Sequence, residues 1–180
     1  SVQRDSDREN RLSALSDALS RGEIARALGQ IDSPLTATRE LEMTAQLMLK
    51  QADKIVAVAG QLPVSECARL VSYIRNRAEP PSPELRLLAA RFLLARGQTD
   101  EGLEALGRIP DAYFRAGGAG RAAAAAALSA GVRRAIDGDS PETGLRLLGM
   151  LGRVAPDAVG TGSAVLVHLA DADRRLGAGE

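Results

Sequence analysis

Apolar residues return along this chain at intervals of three and four, the spacing of one face of an α-helix. Leu12, Leu15 and Leu19 line a first face, and Ile24, Leu28 and Ile31 a second. The segment Thr36 to Ala59 carries Leu41, Met48 and Ile55 at heptad spacing, with Ala45, Ala52 and Ala59 beside them. Val64, Ala68 and Val71 form the next stripe, followed by Leu85, Leu88, Ala89 and Phe92. Further stripes are Leu103/Leu106/Ile109, Leu128/Val132/Ile136, Leu145/Leu148/Leu151 and Val165/Leu169/Ala172/Leu176. The pattern predicts about nine helices and no strand.

The punctuation between the stripes agrees with this. Ser6 and Glu9 have the spacing of a capping box. Ser33-Pro34, Ser82-Pro83 and Ser140-Pro141 each set a capping hydroxyl before a proline suited to the first helical position. Glu84 and Glu142 then fall in first turns, where the helix dipole favours negative charge. Pro80-Pro81-Ser82-Pro83 interrupts the chain as a stiff turn between helices. The opening residues SVQRDSDREN are polar and predict a solvated lead-in. A chain that opens on Ser1 rather than Met is expected to be processed or excised from something longer.

Turn glycines recur in near-even steps at Gly22, Gly60, Gly97, Gly138 and Gly177. Leu28-Gly29-Gln30-Ile31, Leu106-Gly107-Arg108-Ile109 and Leu151-Gly152-Arg153-Val154 echo one another, whereas Leu70-Val71-Ser72-Tyr73 breaks the echo. One helical hairpin cannot bury both of its faces, so hairpins that repeat must cover one another. The expected architecture is one all-α domain over residues 1–180, an α-solenoid of stacked antiparallel hairpins. Its approximate units are 6–32, 33–79, 82–110, 111–156 and 157–180, with Asp171, Asp173, Arg174 and Arg175 giving the last a polar outer face.

The stretch Leu87 to Pro110, LLAARFLLARGQTDEGLEALGRIP, resembles a tetratricopeptide (TPR) unit. It has an Ala/Leu-rich first helix, a turn at Gly97, Asp100-Glu101 opening a second helix and a closing Pro110. It departs from that pattern where Gly102 replaces the usual small alanine, where Pro110 arrives early, and in a unit longer than the family's roughly 34 residues. Ile136 to Pro156 is similar in part. The resemblance implies an interaction scaffold whose concave face is lined mainly by first helices.

Composition narrows the choice. The 180 residues are 45% hydrophobic and 2% aromatic, which argues against an all-β core. Lys plus Arg and Asp plus Glu are 23 each, so no bulk positive charge draws the chain to nucleic acid. A single Cys and a single His provide neither a disulfide nor a multi-Cys/His metal site, and no motif calls for a cofactor. No run reaches the roughly 18 apolar residues of a membrane span. Lys50 and Lys54 are the only lysines, and with abundant Ala and Gly this resembles a GC-rich bacterial coding bias. The compartment, cytoplasm or periplasm, stays open.

Candidate chemistry is sparse. His168 sits on an apolar helix without a nucleophile or carboxylate motif and reads as a packed helix residue rather than a general base. Cys67 reads as a small core residue rather than a reactive thiol. Gly117, Gly118 and Gly120, before Arg121, would cradle an anion if a strand preceded them; none does, so a joint between hairpins is expected. Tyr113 and Phe114 either pack the turn after Pro110 or anchor a partner. Arg39, Arg86, Arg91 and Arg121, on or beside first helices, would line a groove for an acidic peptide. With no triad, paired carboxylates or phosphate loop, the expectation is a non-enzymatic scaffold that binds a protein or peptide partner. The alternative is a structural, self-associating domain of a bacterial cell-envelope, motility or secretion assembly, with Leu41, Met48 and Ile55 as its homo-oligomer seam.

Overall fold

The same backbone device turns one helix into the next at three places. The N–H of Gly22 donates to the Leu19 carbonyl and that of Glu23 to Ala18; Gly97 and Gln98 repeat this on Leu94 and Leu93, and Asp139 and Ser140 on Ile136 and Ala135, all at 2.8–3.2 Å. This Schellman pairing satisfies carbonyls that the helix itself leaves open, and it needs a left-handed residue just past the helix end. Gly22, Gly97 and Asp139 supply it, with φ of 73°, 78° and 53°. Two expected turn glycines differ. Gly138 has φ of −88° and leaves the left-handed position to its neighbour Asp139. Gly60 lies in a 3-10 turn, Ala59–Gln61, ahead of Pro63, so the chain turns there by another route.

The computed structural model describes residues 2–31, 38–75, 81–159, 175–177 and 179. Among them are ten α-helices and no strand: α1 (Val2–Ser20), α2 (Ile24–Ile31), α3 (Thr38–Lys50), α4 (Ala52–Ala57), α5 (Val64–Arg75), α6 (Pro83–Ala95), α7 (Thr99–Gly107), α8 (Asp111–Arg115), α9 (Ala119–Asp137) and α10 (Pro141–Val154). The fold is all-helical. Eight of the nine expected helices fall among the described residues, and they become ten because the long third segment is two helices and the Tyr113 corner forms a short helix of its own. The split falls at Gln51, whose N–H is shared between the carbonyls of Leu47 and Met48, a tightening that ends α3. The helix expected over Val165 to Leu176, the Ser33-Pro34 cap and His168 fall wholly or mainly outside the described residues.

Helix α1 begins at Val2, so Ser6 lies inside the helix and not at its cap. The polar opening is helical rather than an irregular lead-in. Its first turns are almost wholly exposed and carry the side-chain pairs Gln3–Asp7 and Asp5–Arg8 at helical spacing. At α6 the Ser82 hydroxyl accepts the Leu85 N–H at 3.3 Å, as expected of a cap. Ser140 caps α10 in position only: its side chain makes no cap bond, and its N–H is used in the turn.

The chain divides into two compact units, Ser1–Phe92 and Leu93–Glu180, with the boundary inside α6. In the first, α1 packs on α2, α3 and α4, and α2 on α5. Leu15, Leu19, Ile24, Met48 and Ile55 are buried there, so the heptad-spaced Met48 and Ile55 serve the unit's own core. The core face of α5 is Cys67, Leu70, Val71 and Ile74. Of the expected stripe Val64, Ala68 and Val71, only Val71 faces the core: Val64 is 74% exposed and Ala68 is exposed too. Val64 occupies the first turn after Pro63, and the heavier apolar residues lie on the other face. In the second unit α10 packs along α9 and touches α7 and α8, burying Leu106, Ile109, Phe114, Leu128, Val132, Leu147, Leu151 and Val154.

Small residues stand where paired helices meet. Ala27, Gly102 and Gly144 each lie five residues beyond a left-handed turn residue, and each is buried. A Cβ on Gly102 would stand 2.8 Å from the Leu94 side chain of the preceding helix. The close approach of the two helices therefore requires a residue of minimal size.

Candidate interaction surface

The basic side chains show what the hairpins do to one another. Each helix ends with carbonyls that have no partner within the helix and carry the negative end of its dipole. Lys54 of α4 donates to the carbonyl of Ser20, the last residue of α1. Arg134 of α9 donates to the carbonyl of Leu94, near the end of α6, at 2.7 Å. Arg153 of α10 reaches the carbonyls of Leu106 at 3.4 Å and Ile109 at 2.9 Å, at the end of α7. These bonds link residues 34 to 47 positions apart in sequence. A cation from the following hairpin thus closes the end of a helix in the preceding one.

Ion pairs repeat the arrangement. Arg91 pairs with Asp53 at 2.7 Å, Arg146 with Asp100 at 2.6 Å and Arg153 with Asp111 at 2.7 Å, over separations of 38, 46 and 42 residues. Arg121 meets Asp157 at 3.5 Å over 36 residues, with the arginine now on the earlier member. Pairs with an exposed carboxylate contribute roughly 0.2–1 kcal/mol each. Their consistent reach of one hairpin is more telling than their strength.

The residues singled out for a groove divide between the two units. Arg39 is on α3, and its side chain lies outside the description. Arg86 and Arg91 both lie on α6 within the first unit. Arg86 donates from Nε to the Pro81 carbonyl at 3.3 Å, and Arg91 is 17% exposed in its pair with Asp53. In the second unit Tyr113 is half-buried and Phe114 is 2% exposed. The two rings meet edge to face with centroids 5.5 Å apart. The Tyr113 hydroxyl lies so close over Gly120 that a Cβ there would be 2.1 Å from it, which places the tyrosine beside the turn of α9 that carries Arg121. Phe114 is thus spent on the core of the corner, and Tyr113 and Arg121 form its partly open edge.

Arg134, Arg146, Arg153 and Lys54 were not singled out from the sequence, although pairing arginines with carboxylates some forty residues away would have found two of them, Arg146 and Arg153. The bonds to carbonyls leave no such trace, because every residue has a carbonyl. Among the described residues no three His, Cys, Asp or Glu side chains lie together as a metal site would need, and no helix is long and apolar enough to cross a membrane. Cys67 is buried, with Sγ 3.8 Å from the Leu62 carbonyl. Comparisons of the chain with protein-family models, with curated proteins and with solved structures give no match.

Proposed function

We propose that the chain is a TPR-like helical-repeat protein, an α-solenoid that works as a non-enzymatic scaffold and binds a protein or peptide partner on the exposed faces of its helices. The observation that carries this reading is the constant reach of its long-range polar side-chain contacts. Every such bond or ion pair described above spans 34 to 47 residues, about one hairpin. A compact bundle closes contacts over many separations, whereas a stack of repeats closes them between neighbours. The recurring Schellman turns and the small residues five positions beyond them support the same reading. So do Arg91, Arg134, Arg146 and Arg153, whose guanidinium groups join residues 38 to 47 positions apart. A preformed surface of this kind binds without first paying the entropy of ordering itself.

Helix α9 offers the face to test. Ala122, Ala126 and Arg133 are exposed on it, beside the buried Ala124, Leu128 and Val132. The experiment is affinity capture with the purified chain as bait, repeated with Ala122→Glu/Ala126→Glu and with Arg133→Glu. A partner held by the parent chain and lost by these variants, with the circular-dichroism melt unchanged, supports the reading. A partner held equally by every variant of the exposed first-helix positions overturns the binding face assigned here. Against the self-association alternative stands the burial of Met48 and Ile55, two of the three residues offered as its seam, within one chain. Light scattering that shows growth of mass with concentration would restore it.

A further inference from the structure

We draw no further inference here: the strongest candidate, the N-terminus of α9 above the Gly117–Gly118 loop, carries nothing, because its arginine, Arg121, is already paired with Asp157 and no second feature of the structure assigns a ligand to that helix end.

Discussion

Arg153 donates to the carbonyl of Ile109 across 44 residues of sequence, at 2.9 Å, while its Nε holds the Asp111 carboxylate at 2.7 Å. One side chain thus closes the end of α7 and grips the first residue of α8. Arg153→Ala is expected to lower stability by about 1–2 kcal/mol, the scale of hydrogen bonds to a charged group that is partly open to water. Arg153→Lys should recover part of the loss, because the ammonium keeps the charge without the fork that serves several acceptors. Urea unfolding monitored by circular dichroism measures both; no loss for either variant would show that the contact is idle.

The turn at Gly97 depends on its left-handed backbone. Gly97→Ala is expected to cost about 1–2 kcal/mol. Asp139→Gly should stabilise by up to about 1 kcal/mol, by relieving the one left-handed non-glycine residue among those described. Gly138→Ala should cost less, because its φ of −88° carries no left-handed strain, although a Cβ there would stand 3.1 Å from the Arg134 carbonyl. Thermal melts of the three variants check the order, and an equal cost at 97 and 138 would contradict the turn assignment.

Close packing makes an opposite prediction for two helical glycines. Gly102→Val forces its side chain against Leu94 and is expected to destabilise by about 1–3 kcal/mol. Gly149→Ala meets nothing within 4 Å on an exposed face of α10 and should stabilise by about 0.5–1 kcal/mol through helix propensity. Equilibrium denaturation separates the two signs.

Phe114 distinguishes a core residue from a binding anchor. Buried as it is, Phe114→Ala should cost about 3–5 kcal/mol in stability. A variant that keeps its melting temperature and loses only a partner would place the ring on the surface instead.

Thr44 is fully buried in α3, and its hydroxyl has no hydrogen-bond partner among the described residues. Valine keeps its shape and removes the polar group. Thr44→Val should therefore stabilise by about 1 kcal/mol, the scale of an unsatisfied buried hydroxyl. A measured loss would mean that the hydroxyl finds a partner in solution.

The helical class, the positions of most helices and two of the three Schellman turns were legible in the chain because they are local. Leu15, Leu19, Leu88 and Phe92 repeat at the helical period, Gly22 and Gly97 mark the places where the backbone must pass through a left-handed residue, and Ser82 stands before Pro83. Where the local signals compete, neighbours decide. Gly138 and Asp139 both suit a turn, and only the length of α9 shows that Asp139 takes the left-handed position. Val64 and Cys67 both fit an apolar stripe on α5, and the face that meets the rest of the unit selects Cys67. Nothing in Lys50-Gln51-Ala52 marks a break, yet α3 ends there. The inter-hairpin bonds were hidden for a deeper reason. Arg134 and Arg153 look like solvated charges until the preceding hairpin brings its helix-end carbonyls to them, and carbonyls have no signature in sequence. Sequence by itself determined which segments coil and where most of them stop, since those choices depend on residues a few places apart. Tertiary structure alone decided which faces meet and which cations close a neighbour's helix, since those choices depend on groups some forty residues away.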